Sequence, residues 1–196
     1  MNYLAHLYFS ELTPDSCVGQ LLPDCMPPAR LPTEVSAELR HHVELHRVID
    51  HVTDNHSEVQ ALRRSLQPPY RRFGGVILDV FFDHYLARNW SHWHPRPLPD
   101  FAADVYAALA DYTGPENERL RQLRQALIRR RWLPGYATRE GMARALSNLD
   151  RRSRFRTPLA ESVELLDSRG EEVAAVFRTF FPDLQAEVQK HMTDAS

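Results

Sequence analysis

Glycine is scarce in this 196-residue chain, with seven residues; cysteine occurs twice and lysine only once, as Lys190. Each shortage excludes something. Few glycines and few alternating apolar and polar runs leave little from which to build hairpins and sheets, which argues against a β-rich fold. Cys17 and Cys25 are too few for a disulfide framework and form no Cys-x-x-Cys pair, which argues against a structural zinc knot, and a reducing, cytoplasmic setting fits best. No stretch is apolar enough to cross a bilayer, and Met1 to Tyr8 lack the basic start and long apolar core of a secretion signal, so no membrane partner is expected. Also missing are a Gly-rich phosphate loop, a Gly-x-Ser-x-Gly elbow and a His-Glu-x-x-His pair, which narrows the field to metal-assisted chemistry or plain binding.

Charge of either sign is not in excess: 24 basic and 26 acidic residues give a net charge of −2, which points to no nucleic-acid partner and no acidic tail. The distribution is less even. Between 119 and 156 lie Arg119, Arg121, Arg124, Arg129, Arg130, Arg131, Arg139, Arg144, Arg151, Arg152, Arg154 and Arg156, against only Glu140 and Asp150. The run reads either as a solvated helix face or as a surface for an acidic partner.

The length suits one domain over 1–196, and apolar residues recur at helical spacing, so the expected fold is an all-α, single-domain helical bundle. Helices are expected over 3–11, 15–25, 33–54, 57–66, 71–91, 99–112, 116–131, 138–147 and 159–180, with a last one after Pro182, because prolines mark most breaks. Asp15 and Thr33 are candidate N-caps. Prolines 23, 27 and 28 place Asp24 at a helix end or turn, and the stretch from Trp93 to Pro99 reads as a rigid loop.

Chemistry gathers in the first half, which holds every histidine but His191. The stretch from Val76 to Trp90 is apolar except for Asp79, Asp83, His84, Arg88 and Asn89, and a buried unpaired carboxylate costs several kcal/mol or more. A second stripe sets His46, Asp50 and Asp54 at i, i+4 and i+8 on one helix. Two such stripes face to face would form a cage of imidazole and carboxylate, a mixed set suited to Mn²⁺, Fe²⁺ or Zn²⁺. His41, His42, His51 and His56 read as surface or capping residues, and His92 and His94 as exposed. A lone histidine on an apolar face, His6 reads as a hydrogen-bonded core residue. Arg47 and Arg88 either neutralise the carboxylates or hold a phosphate in a bidentate fork.

Four ordered motifs carry a resemblance: Asn2-x-Leu4-Ala5-His6-Leu7; Gly19-x-Leu21-Leu22-x-Asp24; His46-Arg47-x-Ile49-Asp50-x-x-Thr53-Asp54; and Leu78-Asp79-Val80-x-x-Asp83-His84-x-Leu86-x-Arg88-x-Trp90. Together they resemble the bacterial acyl carrier protein phosphodiesterase family, closely over roughly the first 95 residues and weakly through Trp132-Leu133-x-x-Tyr136 and the arginines at 151 to 154. The resemblance implies cleavage of the phosphodiester between the serine of holo acyl carrier protein and its 4′-phosphopantetheine arm, with manganese, Mn²⁺, as metal. It also implies a distant place among the HD phosphohydrolases, although the chain has no His-Asp dipeptide, only Asp-His at 50–51 and 83–84.

On that resemblance, His6, Asp24, His46, Asp50, Asp83 and His84 are expected to surround one or two cations. Asp54 and Asp79 are ligands or orient them, and Arg47 or Arg88 holds a phosphoryl oxygen. Asp83→Asn is then expected to abolish turnover without unfolding the domain. The arginines at 119–131 and 144–156 are expected to dock the acidic carrier protein. Two other functions remain open: hydrolysis of a nucleotide or other small phosphodiester, or a non-catalytic helical binding protein.

Overall fold

The computed structural model describes all residues except 28, 29, 32, 33, 195 and 196, and, for 194, only the backbone. The described residues are 78% helical and contain no strand, in agreement with the all-α expectation. In chain order the helices are α1 Tyr3–Tyr8, α2 Pro14–Leu21, α3 Ala37–Asn55, α4 Ser57–Ser65, α5 Gly74–Arg88, α6 Trp90–Trp93, α7 Leu98–Asp111, α8 Glu118–Arg130, α9 Arg139–Arg152 and α10 Leu165–Asp194. Short 3-10 turns occupy Leu22–Asp24, Arg71–Phe73, Leu133–Ala137 and Glu161–Glu164. Among the described residues no helix is long and apolar enough to cross a membrane.

Helix starts follow local chemistry. Thr13, not Asp15, caps α2: its hydroxyl accepts the Ser16 N–H, Ser16 reciprocates to the Thr13 N–H, and Pro14 supplies a first-turn φ with no N–H to waste. Ser36 caps α3 by accepting the Leu39 N–H; the other candidate cap, Thr33, lies outside the described residues. Asp24 sits in the Leu22–Asp24 turn, as the flanking prolines imply.

The core is organised around α5, whose Ile77, Leu78, Val80, Phe81, Phe82 and Leu86 are all buried, as expected of a helix that is apolar all round. Helices α1, α4, α9 and α10 and the Leu133–Ala137 turn pack on it. The long helix α10 continues through Pro182 without a break, which corrects the expected boundary there. A proline inside a helix costs about 3 kcal/mol. Phe180, Phe181 and Leu184 beside it are fully buried, and each stabilises by about 1.5–3 kcal/mol, so packing outweighs the lost hydrogen bond. The expected 71–91 helix is divided instead: a 3-10 turn precedes α5, and Asn89 separates α5 from the short α6.

Helices α2 and α3 approach unusually closely. A Cβ on Gly19 would lie 2.5 Å from His42 Cβ and 2.8 Å from the Leu39 carbonyl oxygen, so only glycine allows this contact. The approach buries His42 completely, contrary to its expected surface place, with Nδ1 3.3 Å from Gln20 Nε2.

Candidate metal centre

The same α2–α3 contact puts the Gln20 carbonyl 2.9 Å from His46 Nδ1. A carbonyl can only accept, so Nδ1 carries a proton, and Nε2 is left as the nitrogen that can give up its own proton to Asp50 or solvent and take a metal instead. From α1, His6 stacks on His46 with ring centroids 3.9 Å apart and planes 12° off parallel. Both Nε2 atoms aim at one carboxylate: His6 lies 3.2 Å from Asp50 Oδ1 and His46 3.1 Å from Asp50 Oδ2. One ligand atom from each of these three residues falls within 4.8 Å of the others. Asp24 Oδ1 is 4.0 Å from His46 Nε2.

Both imidazoles are buried, whereas the side chains of Asp50 and Asp24 are 44% and 43% exposed, so the cluster opens to solvent on its carboxylate side. Burial and the neighbouring His46 hold the His6 pKa down at about 3, keeping this ring neutral. Burial also acts to lower the pKa of His46, but the hydrogen bond and charge of Asp50, followed by Asp24, more than reverse it. Burial would raise the pKa of Asp50, yet the two histidine hydrogen bonds hold it below the usual carboxylate range. Asp24 is raised, chiefly by burial. Two imidazole nitrogens and one carboxylate, with a second carboxylate beside them, fit a divalent cation of the Mn²⁺, Fe²⁺ or Zn²⁺ class. One donor-acceptor atom stays unmet: His6 Nδ1 is buried without a partner among the described residues.

The other expected site residues go elsewhere. Both Asp83 oxygens accept backbone N–H groups at the start of α1, Leu4 at 2.8 Å and Ala5 at 3.0 Å. These are orphan donors of a helix that lacks a side-chain cap, and a carboxylate there also meets the positive end of the helix dipole. His84 turns to the Tyr136 carbonyl, with Nδ1 at 2.7 Å. Successive helix residues point about 100° apart, which sends this Asp-His pair to two different neighbours. Asp79 meets the α-amino group of Met1 at 3.0 Å, and the same ammonium reaches Asp50 at 3.4 Å. Asp54 is exposed and pairs with Arg63 at 3.7 Å; each i+4 step drifts by about 40°, so i+8 has already left the stripe. Arg47 pairs with Glu44 on the surface of α3, and Arg88 lines a cleft with His84, Arg139 and Arg178.

The family model for acyl carrier protein phosphodiesterase matches residues 1–184, far beyond the first 95 residues that carry the clear motifs. The chain belongs to this family. Similar proteins called acyl carrier protein phosphodiesterase occur in Enterobacter sp. (strain 638) and Yersinia pestis, each 31% identical over 193 residues, covering 96% of this chain and 98% of the relative. A third, from Klebsiella pneumoniae (strain 342), is 30% identical over 188 residues, 94% and 95% of the two chains. No solved structure matches.

Sequence reasoning missed three features. The Gln20 carbonyl is a backbone atom and leaves no side-chain signal. Tyr136, singled out only as a weak part of the resemblance, is tied to the start of α1 by Asn2, whose amide donates to its hydroxyl at 3.0 Å. Phe155 stands 81% exposed between Arg154 and Arg156, an apolar residue within an arginine run that the sequence displays openly.

Proposed function

We propose that this protein is a metal-dependent phosphodiesterase that cleaves 4′-phosphopantetheine from the serine of holo acyl carrier protein, leaving apo carrier protein. The observation that carries this reading is the convergence of His6, His46 and Asp50 on one point, in a chain matched to the family over 1–184. These three residues would hold the cation, Mn²⁺ by the family resemblance, with Asp24 as a further ligand or as base. A divalent cation here supplies Lewis-acid charge, making water a competent nucleophile near neutral pH and offsetting charge on the phosphoryl oxygens.

The chain does the rest. Gln20 fixes the His46 tautomer, and Asp83 seats α1 and therefore His6. On the open side, Asp24 lies 4.0 Å from His46 with its carboxylate partly exposed, a position from which it can take a proton from attacking water. His84, Asp79, Asp54, Arg47 and Arg88 support the surrounding helices in this reading and do not touch the reacting phosphate. The helical fold and the His/Asp cluster are consistent with a distant HD-type ancestry. Docking of the acidic carrier protein is assigned to Arg154 and Arg156 around Phe155, a charged rim with an apolar centre. The carrier protein is cytoplasmic in this reading, and so is the enzyme; its two cysteines are free and buried.

The test is to incubate the protein with holo carrier protein and Mn²⁺ and weigh the carrier intact. Loss of the arm that stops on chelation is expected. A carrier of unchanged mass, with small phosphodiesters cleaved instead, would transfer the activity to small substrates. No cleavage and no bound metal would leave a helical binding protein.

A further inference from the structure

A cavity of about 730 Å³ lies between α1, the end of α8, the Leu133–Ala137 turn and α9. That size falls within the range of small-molecule sites. Arg130, Arg131, Arg144, Arg151 and Arg152 line it, and no acidic residue does. None of the five has a carboxylate within ion-pair distance among the described residues, whereas Arg121, Arg124 and Arg139 just outside pair with Glu118, Glu116 and Asp167. Five like charges around one hollow repel each other unless an anion offsets them. Arg131 reaches the rim from a left-handed backbone position, φ 47°, that favours glycine, with its guanidinium 4.9 Å above the Tyr106 ring.

One end of the cavity lies towards the metal centre, linked to it through Tyr3 and Asp24. Arg152 Nη1 lies 3.4 Å from the Tyr3 hydroxyl, and Tyr3 is close enough to both Arg152 and Asp24 for their charges to act on its phenol. Asp24 in turn flanks His46. Between the arginines the wall holds the aromatic and apolar side chains of Trp132, Tyr136 and Leu149.

We propose that this cavity binds a phosphate ester carrying an amide-containing arm, with the phosphate at the Arg152–Tyr3 end beside the triad and the arm running along Tyr136 and Trp132 towards Arg144. The guanidinium fork matches phosphate oxygens, the aromatic side chains flank the arm, and an arm carbonyl can accept from the Arg144 guanidinium at the far end. The identity of the arm, 4′-phosphopantetheine, rests on the phosphodiesterase reading; the cavity's chemistry does not.

Calorimetric titration of the full chain, without added metal, tests this with three probes: free 4′-phosphopantetheine, pantetheine lacking the phosphate, and inorganic phosphate. The phosphorylated arm should bind one to one, and each fragment should bind at least about tenfold more weakly. Arg152→Ala and Arg144→Ala should each weaken the whole arm by about tenfold, the loss of one charge-assisted contact, with melting temperatures unchanged. Phosphate binding as tightly as the whole arm, or affinity untouched by both variants, would overturn the proposal. Arm binding without carrier cleavage would sink the phosphodiesterase reading and keep the cavity. Carrier cleavage by a protein that does not bind the free arm would do the reverse, moving the arginines to contacts with the carrier's acidic surface.

Discussion

Asp83→Ala should loosen α1 and unseat His6. Asp83 is fully buried and accepts the N–H groups of Leu4 and Ala5, and α1 has no other N-terminal cap. Alanine leaves two buried donors unmet, at about 1–3 kcal/mol each, plus a small void. The expected loss is about 3–5 kcal/mol, a large part of the roughly 5–15 kcal/mol that holds a domain together. Urea unfolding gives the total, and hydrogen exchange at Leu4 and Ala5 gives the local effect. Asp83→Asn keeps the shape and one acceptor, so it should lose less. Burial raises the Asp83 pKa to about 7 against 3.8, although the two N–H bonds resist. A folded pKa above the unfolded one means that the stability it contributes is full below the unfolded value and is lost as pH rises through about 7. The amide variant has no such titration, so its deficit against wild type should shrink across that range. Equal midpoints for wild type and alanine, with Leu4 and Ala5 amides still protected, would refute the reasoning.

Gly19→Ala should cost about 1–3 kcal/mol, because the added methyl meets His42 Cβ and the Leu39 carbonyl, and the shift of Gln20 should lower metal affinity as well; thermal melting and a metal titration check both. Phe155→Ser should leave stability within about 0.5 kcal/mol, since the ring is exposed, but raise the KM for carrier protein about fivefold with kcat unchanged, an effect seen in steady-state kinetics. If the arginines around it dock the carrier, added salt should raise the wild-type KM too.

The helices were readable because prolines and apolar periodicity announce them; Pro182 misled because proline propensity is local while the burial of Phe180 and Phe181 is not. Asp83 was legible as an anomaly. A carboxylate in an apolar helix must be satisfied, but sequence cannot distinguish a cation from two backbone N–H groups 79 and 78 residues away. His46 and Asp50 followed from their i, i+4 spacing, and the same arithmetic extended one step too far to Asp54. Periodicity alone placed His6 in the core, and it is indeed buried; only the family resemblance gave it a ligand's role. The pairing of His46 with the Gln20 carbonyl depends on how closely α2 and α3 pack, which Gly19 permits but does not specify.

The most direct measurement is a Mn²⁺ titration of wild type and Asp50→Asn, read alongside conversion of holo to apo carrier protein by the same samples. Asp50 meets both histidines, so the amide should lose metal binding and carrier cleavage together while remaining folded. A variant that still binds Mn²⁺ as wild type does and still strips the carrier would contradict the assignment of His6, His46 and Asp50 as the catalytic metal centre.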